Sequence, residues 1–413
     1  MSASLRAMMA SFVALLLGFG LMEVGSALQA TLLSIRGTNE GFSPVAVGAV
    51  GAGFWAGIVL GSLYGGRLIR RVGHIRTFVA LGAIASTAPL IHLLVIDPTA
   101  WVVIRALTGF CFAGLFMVVE SWLNGVATAQ TRGRILSVYG MMGLFAGVGG
   151  QLLLAGVDPR GFNGFCVVAI IIAFSLVPIA LTRTAPPRDV GSSARISLIE
   201  LYRLSPFGPV VTLLCGMTNS AFFTLGPVFA QWHGFDASGI AVFMACATVG
   251  GFLLAWPLGW LSDRIDRRIV VIVIAMAAIA SMAALLTFLP TDTSRAMLCL
   301  YVALFGGTVV PTYSVVMAHV NDAVGKDQFV AASGCLLLVN GVGSAVGPVI
   351  AGIAMSNWRH GLGYTIIAAQ IMIAAWGLYR ITRKAPHEHK GTFLVEPPVP
   401  VATTLAPAHL GAN

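Results

Sequence analysis

The feature that most constrains the fold of this 413-residue chain is a series of twelve apolar runs, each close to 20 residues long or longer. A helix rises about 1.5 Å per residue, so about 20 residues cross the hydrocarbon core of a bilayer. Because backbone groups in lipid must bond within their own segment, the runs are predicted to be membrane-spanning helices. The alternation typical of a membrane barrel is missing. The runs lie at roughly 8–32, 45–66, 77–96, 100–122, 133–156, 162–182, 207–230, 238–261, 269–290, 295–317, 328–352 and 363–381.

The composition excludes a soluble globular protein. Hydrophobic residues make up 57% of the chain and charged residues 9%, whereas a soluble domain carries about 25% charged residues. The six cysteines lie within apolar runs and have no CxxC spacing, so we expect buried thiols and no disulfides. The sequence has no Walker motif and no strand-linked GxGxxG motif. We therefore expect no nucleotide use, no cofactor and no enzymatic activity.

The distribution of basic residues predicts the orientation of the chain. If the N-terminus is cytoplasmic, 19 of the 24 lysines and arginines fall in cytoplasmic segments, which is a strong positive-inside signal. Both termini are thus predicted on the cytoplasmic side of the inner membrane. The net charge of +9 then reflects topology, and we expect no nucleic-acid partner. Four basic residues fall on the outside and one within a span: Arg36, Arg160, Arg295 and Arg359, and Arg105.

The longest internal break, residues 183–206, is polar and basic and separates two sets of six spans. We predict an N-terminal six-helix bundle over 1–182, a cytoplasmic linker over 183–206 and a C-terminal six-helix bundle over 207–384. The tail 385–413 is rich in proline and lacks hydrophobic periodicity, so we expect it to be disordered. Its short His-Glu-His sequence fits a solvated tail, and no metal site is expected.

Three pairs of short motifs repeat between the two sets of spans at nearly constant spacing, which indicates a duplication and two pseudo-symmetric bundles. Repeated halves are typical of secondary transporters, which bind their substrate near the midplane between the halves. The glycines of the third pair are also expected to let helices approach closely. The pairs are 66–73 with 259–266 (spacing 193), 118–124 with 315–321 (spacing 197), and Gly143/Gly147 with Gly343/Gly347 (spacing 200).

These motifs resemble those of the major facilitator superfamily. The stretch GWLSDRIDRR (259–268) resembles the loop 8–9 copy of that family's G-x-L-x-D-R-x-G-R-R/K motif, and GRLIRRVGHIR (66–76) resembles the loop 2–3 copy. The second stretch departs at Arg70, where the family motif has aspartate. Arg105 to Gly109 resembles the family's R-x-x-x-G motif in span 4, and Gly343 to Pro348 resembles its G-x-x-x-G-P motif in span 11.

Longer strings resemble the YcaD-type branch of the superfamily. The resemblance covers nearly all of the chain except the tail, and it implies a twelve-helix fold that moves a solute by alternating access. It leaves the cargo open. The strings are GHIR (73–76), ESWLNGVATAQTRGRILSVYG (120–140), AFFTLGPVFA (221–230) and PTYSVVMAHVND (311–322).

The loop motifs are predicted to form gating contacts between the halves, because the family resemblance implies that each copy braces the opposite half at the cytoplasmic face. The loop between spans 10 and 11 (loop 10–11) is acidic and complements the charge of the unusual Arg70. The loop between spans 4 and 5 (loop 4–5) is basic and complements the charge of Asp263. Ion pairs at a wet surface contribute about 0–1 kcal/mol each, which is enough to bias a balanced equilibrium. The alternative is that these arginines only set the topology. The predicted gating groups are Arg70 and Arg71 with Asp322 and Asp327, and Asp263 with Arg132 and Arg134; Arg264, next to Asp263, is also predicted to be a gating residue.

Two ionisable residues lie well inside predicted spans, Glu23 in span 1 and Arg105 in span 4. A charge there costs about 2.5–3.5 kcal/mol or more and usually marks a pathway or a proton relay. We predict that Glu23 carries a proton and that Arg105 tunes its proton affinity. The alternative is a static buried pair. Glu120, near the cytoplasmic end of span 4, is expected to be structural.

Polar residues within spans are candidates for contact with the cargo. Gln29, Asn219 and Tyr313 rank highest, because the resemblance implies that spans 1, 7 and 10 line the central cavity. The alternative is that they form hydrogen bonds between helices.

The sequence therefore favours a proton-coupled secondary transporter, with export of amphipathic compounds by antiport as the first hypothesis and metabolite uptake as the second. A transporter-derived membrane sensor is the alternative of another class, although the large soluble extension usual in a sensor is not visible. The expected partners are a small-molecule solute, protons and the lipid bilayer, and the chain is expected to be a monomer.

Overall fold

A computed structural model describes residues 3–126, 131–181, 196–289, 294–325 and 328–383, and this part of the chain is helical. The helices are α1 (Ala3–Asn39), α2 (Pro44–Val72), α3 (His74–Leu94), α4 (Pro98–Val126), α5 (Arg132–Leu153), α6 (Asn163–Ala180), α7 (Leu198–Leu204), α8 (Phe207–Trp232), α9 (Ala237–Arg264), α10 (Arg267–Phe288), α11 (Arg295–Val309), α12 (Thr312–Asn321), α13 (Phe329–Asn357) and α14 (Gly361–Arg383).

The twelve predicted spans are confirmed. Twelve helical segments of the described chain are long and apolar enough to cross a membrane, with α11 and α12 together forming span 10. The largest boundary error is at span 1, whose helix continues to Asn39 instead of ending near residue 32. An ion pair of 2.7 Å between Arg36 and Glu40 supports these two extra turns, and the chain turns only at Gly41, whose φ is +81°.

Short polar caps start the helices on one face of the bundle. Ser43 accepts a hydrogen bond from the Ala46 amide, with Pro44 at the first helical position, and Asp97 accepts one from Ala100. Asp236 caps α9 in the same way. Side-chain oxygens at these positions satisfy backbone N–H groups that the first helical turn leaves free. The helix ends at the other side of the bundle form the arginine-rich face, which carries Arg67, Arg70, Arg71, Arg264 and Arg380. The side with the polar caps is called the opposite face.

The two bundles repeat the same helix contacts. Span 2 packs on span 4 as span 8 packs on span 10, and span 1 packs on span 5 as span 7 packs on span 11. In the N-terminal bundle, a Cβ at Gly57 or Gly109 would overlap a backbone carbonyl of the facing helix. Gly250 and Gly306 occupy the same places in the C-terminal bundle. Gly250 follows Gly57 by 193 residues, and Gly306 follows Gly109 by 197 residues. These are the spacings of the first two repeated motif pairs in the sequence, so the predicted duplication is confirmed.

Span 10 is broken, whereas span 4, its counterpart, is one continuous helix. The break lies at Val310 and Pro311, because a proline has no N–H to donate to the preceding turn. The Asn219 side chain on α8 donates to the Val309 carbonyl at 3.4 Å and so partly satisfies the interrupted backbone.

The bundles meet most closely near the opposite face. Gly48 lies against the Pro348 carbonyl, and Gly352 lies against that of Pro44. Gln231 donates a hydrogen bond of 2.8 Å to Asn39 across the same region. These contacts between spans 1, 2, 7 and 11 close the opposite face. At the other end of α2, Arg70 and Arg71 are exposed.

Candidate functional site

Arg105 lies two helical turns inside α4 and is only 5% exposed. Its guanidinium carbon lies 4.2 Å from the centre of the Phe54 ring, and its Nη1 donates a long hydrogen bond of 3.5 Å to Gln29 Oε1. Gly109 explains this placement, because its lack of a side chain lets α4 approach the Phe54 backbone. The R-x-x-x-G motif thus acts as a unit that brings the guanidinium onto an aromatic face, where cation–π attraction stabilises it.

Arg105 borders a small cavity of about 30 Å³, which has room for about two water molecules. Most of its wall is apolar, and spans 1, 2 and 4 of the N-terminal bundle, with Phe42 from the turn between α1 and α2, supply all but one of the lining residues. Thr224 on α8 belongs to the other bundle, so the cavity lies between the two halves. The lining residues are Ala30, Leu33, Ser34, Gly37, Phe42, Val47, Val50, Gly51, Trp101, Arg105 and Thr224.

Glu23 lies on the same face of α1 as two residues that line this cavity, Ala30 and Ser34, at spacings of 7 and 11 residues. Its Oε1 is buried and has no hydrogen-bond partner within the described part of the chain. Glu23 lies six residues before Gln29, which is about 9 Å along the helix axis. The structure therefore places Glu23 on the cavity-facing side of α1, outside the cavity lining, and does not join it to Arg105 as an ion pair.

Tyr139 and Phe19 are neighbours of Glu23 that the sequence did not single out. Phe19 lies one turn before Glu23 on α1, and its ring centre is 4.3 Å from that of Tyr139. The Tyr139 hydroxyl donates to Glu120 Oε1 at 3.3 Å, and both residues are buried. The acid of span 4 is thus held by a tyrosine of span 5. No local motif marks this contact, because it depends on how α1, α4 and α5 pack.

The three predicted substrate contacts are separated. Gln29 is fully buried and touches Arg105. Asn219 is partly buried and bonds to the break in span 10. Tyr313 follows the break and lies in a buried apolar cluster with Ile196 and Leu201 from the segment before α8. Of the three, only Gln29 contacts Arg105, a residue that lines the cavity.

An ion-pair network occupies the arginine-rich face of the C-terminal bundle. Arg267, whose side chain is 1% exposed, bonds to Asp322 at 2.8 Å and to Asp263 at 3.0 Å. Next to it, Arg268 bonds to Asp266 at 2.7 Å. Arg267 was absent from the predicted gating set, although the family motif contains it. A position between two aspartates becomes visible only when α9, α10 and α12 pack together.

The predicted partners in the N-terminal bundle are arranged differently. Arg70, Arg71 and Arg134 are exposed, and no ion pair of theirs is found among the described residues. Asp322, one expected partner of Arg70, is held by Arg267 of its own bundle in this conformation. Asp327 and the Arg132 side chain lie outside the described residues. Arg264 stacks on Trp260, with the guanidinium carbon 3.7 Å from the ring centre.

The glycine motifs of spans 5 and 11 differ in their contacts. Gly343 and Gly347 lie against the carbonyls of Leu213 and Met217, so the expected close helix approach is confirmed there. For Gly143 and Gly147 the expectation of a close helix approach is wrong. A Cβ added at these two positions would lie 3.4 and 3.8 Å from its nearest neighbour, which are ordinary contact distances. Gly150 makes the close contact of span 5, against the Val24 carbonyl.

Two groups outside the spans have shifted pKa values. Burial by itself would raise the pKa of Asp266, but the hydrogen bonds and charge of Arg268 outweigh it and hold this pKa below its ordinary value. Burial lowers the pKa of His233, and the nearby Arg359 and His360 lower it further. His233 stacks on His360 at the opposite face, with ring centres 5.4 Å apart.

Two repeated six-helix bundles of membrane-spanning helices, with a cavity between them, are the architecture of a membrane transporter of the secondary type. The model of the Major Facilitator Superfamily matches residues 10–319 and 210–408 of the chain. The chain belongs to the major facilitator superfamily.

Relatives and solved structures agree with this assignment. The MFS-type transporter YcaD of Escherichia fergusonii is 28% identical over 371 residues, covering 89% of this chain and 95% of that protein. YcaD of Salmonella typhimurium is 27% identical over 374 residues, covering 90% and 96%. The resemblance to the YcaD-type branch is therefore confirmed.

Two solved structures share the fold. A D323A mutant of the nucleoside transporter NupG has a TM-score of 0.76 at 14% identity, covering 90% of this chain and 99% of that one. A D-xylose-proton symporter has a TM-score of 0.67 at 14% identity, covering 92% and 98%. At this level of identity, the likeness concerns the fold alone.

Proposed function

We propose that the protein is a proton-coupled secondary transporter that exports amphipathic compounds across the inner membrane by alternating access. The observation that carries the proposal is Glu23, a carboxyl in the middle of a membrane span with a buried oxygen that no described residue hydrogen-bonds. A buried carboxylate without a partner is costly, and binding a proton removes the cost. A group in this position gains and loses a proton as the cleft opens to one side and then the other.

Arg105 acts on Glu23 through space. At an effective dielectric constant of about 20, two opposite charges attract by about 4 kcal/mol at 4 Å and by about 2 kcal/mol at twice that distance. A rocking motion that moves α4 relative to α1 by a few ångströms changes this energy by a fraction of that amount. The predicted tuning therefore works as a field effect and needs no direct ion pair.

The gating contacts complete the cycle. The present conformation is closed at the opposite face by Gln231 and Asn39 and by the glycine contacts of spans 2 and 11. When that face opens, the arginine-rich ends of the bundles approach one another. Arg70 and Arg71 then meet the acidic loop 10–11, and Asp263 meets the basic loop 4–5.

Flux measurements in liposomes test the proposal. A thermal-shift screen of the purified protein first identifies a solute, and its accumulation is then followed with and without a pH gradient. We expect the wild type to move the solute uphill when protons flow downhill. Glu23→Gln should abolish uphill movement but retain exchange of labelled for unlabelled solute, because exchange needs no net proton transfer. Glu40→Gln, a change at the rim of the same helix, is the matched control.

Uphill, proton-driven transport by Glu23→Gln would remove Glu23 as the coupling residue. The direction of movement relative to the gradient separates export from the alternative of metabolite uptake. Net movement of solute against its own gradient, with no dependence on pH, would exclude both forms of proton coupling.

A further inference from the structure

We propose that Arg105 and Gln29 form the binding site for the carboxylate group of a small organic anion with an apolar body. This inference rests on the proposed transport function and deepens it, because it names the chemical class of the cargo.

The first observation is a buried cation that lacks a counter-charge. Arg105 is 5% exposed, and its described contacts, the Phe54 ring and the Gln29 amide, are both neutral. Nearby acids are engaged or distant: Asp97 caps α4, Glu40 pairs with Arg36, and Glu23 lies about 9 Å along the helix from Gln29. A buried charge normally has a charged or hydrogen-bonding partner, so an anion is the group that this site lacks.

The second observation is an excess of hydrogen-bond donors. Gln29 is fully buried, its Oε1 accepts from Arg105, and its Nε2 has no partner in the described part of the chain. A guanidinium offers five N–H groups and accepts none. The Trp101 indole does not add to the count, because it already donates to the Val95 carbonyl at 2.7 Å. Unused donors on two adjacent side chains select a ligand that accepts hydrogen bonds and disfavour an amine.

The third observation is the size and lining of the cavity. Its volume of about 30 Å³ corresponds to about two water molecules, which the two oxygens of one carboxylate can replace. The fork of an arginine matches a carboxylate through two parallel hydrogen bonds. Around this polar end the walls are apolar, with Leu33, Val47 and Val50 among the lining residues. The remainder of the ligand is therefore apolar as well.

The position of the cavity connects binding with transport. Thr224 of the C-terminal bundle lies so close to Gly51 of the N-terminal bundle that a Cβ at Gly51 would overlap it. An anion at Arg105 thus lies at the seam between the two bundles. Its occupancy favours the conformation in which the seam is closed.

Binding to the purified full-length protein tests the inference without any gradient. Benzoate, benzamide and benzylamine have nearly the same shape and carry negative, zero and positive charge near neutral pH. Titration calorimetry should show saturable binding of benzoate and none of the other two. Arg105→Gln should weaken benzoate binding by about ten- to a hundredfold, and Gln29→Leu by less, because a charge-assisted hydrogen bond is stronger than a neutral one. Arg295→Gln, an arginine at the opposite face of the other bundle, should leave it unchanged.

The outcomes separate this inference from the proposed function. Glu40→Gln, which lies outside the cavity and is already paired with Arg36, should bind benzoate as the wild type does, and a wild type that binds benzoate without proton-driven uphill transport would overturn the proposed function and leave the anion site standing. If benzoate does not bind the wild type, if benzylamine binds equally well, or if Arg105→Gln keeps full affinity, the anion site is overturned. Arg105→Lys, which keeps the charge but loses the fork, should show intermediate affinity and checks that the loss in Arg105→Gln is not a folding defect.

Discussion

The two bundles share one architecture but place their charges in opposite regions. The N-terminal bundle carries Glu23 and Arg105 in the membrane interior, and its arginines at the arginine-rich face are exposed. In the C-terminal bundle, the position equivalent to Arg105 is the buried Val302, and the charged side chains are collected in the network around Arg267.

Under the proposed function, this difference gives the duplicated halves different tasks. Charges inside the membrane are costly and usually serve a function, so we propose that the N-terminal half supplies coupling and binding. The C-terminal half has a broken span 10 and an ionic network at its arginine-rich end, and we propose that it is the body against which the first half moves. The glycine contacts at Gly57 and Gly250 are the same in both halves, because they depend on close backbone packing and not on charge.

The largest expected effect comes from breaking the ionic end of the C-terminal bundle. Asp322→Ala removes the shortest ion pair of the buried Arg267 and leaves it with Asp263, so the cost lies at the lower end of the about 3–5 kcal/mol that the loss of one partner of a buried pair carries. Arg70→Gln, at the exposed end of the other bundle, should cost less than about 0.5 kcal/mol. Thermal unfolding in detergent measures both. Equal losses would show that the two ends do not differ as described.

The glycine contacts should respond equally in both bundles. Gly57→Ala and Gly250→Ala each force a Cβ onto a backbone carbonyl, and overpacking of this kind costs about 1–3 kcal/mol. Gly156→Ala is the control, because nothing lies within 4 Å of a Cβ there. Melting temperatures of the three variants decide the matter, and a stable Gly250→Ala protein would argue against equivalent packing.

Charge exchange at the arginine-rich face should change transport by a few-fold and stability hardly at all. Arg70→Asp places an acid opposite the acidic loop 10–11, and about 1 kcal/mol of repulsion corresponds to roughly a fivefold shift between the two conformations. Adding Asp327→Arg should restore part of the flux in liposomes. If no exchange in loop 10–11 rescues Arg70→Asp, the gating contact is not formed.

The smallest effect is expected at the opposite face, where span 1 ends with the Arg36–Glu40 pair and span 7 with the His233–His360 stack. Because the pKa of His233 lies below its ordinary value of 6.5, the folded protein resists protonation there and loses stability as the pH falls below that value. The melting temperature should drop slightly on acidification, and less so in His233→Gln. An identical pH profile in that variant would assign the drop to other groups.

The sequence predicted the membrane-spanning helices with little error, because a chain in lipid must form its backbone hydrogen bonds within each span. The runs of apolar residues located all twelve spans, and the spacing of repeated motifs gave the pseudo-symmetry later seen at Gly109 and Gly306. It erred at the end of span 1, where α1 continues beyond residue 32, because Arg36 and Glu40 look like a break in hydropathy but pair with each other one turn apart.

The partners of individual side chains could not be predicted from the sequence. Nothing near Arg105 in the chain indicates that Phe54 and Gln29 are its neighbours, and nothing near Asp322 indicates that Arg267 rather than Arg70 holds it in this conformation. Such contacts join residues tens to hundreds of positions apart. Their formation depends on the rotation of each helix about its axis, which small residues at the contacts determine.

By itself the sequence determined a membrane protein of twelve helices in two repeated bundles, because hydrophobic length and backbone hydrogen bonding are local requirements. Only the tertiary structure decided that the Arg105 guanidinium lies over the Phe54 ring and beside Gln29, whose Nε2 has no partner among the described residues. The physical reason is that charge and hydrogen-bond balance in a low-dielectric interior depends on distances of a few ångströms, and packing alone determines those distances.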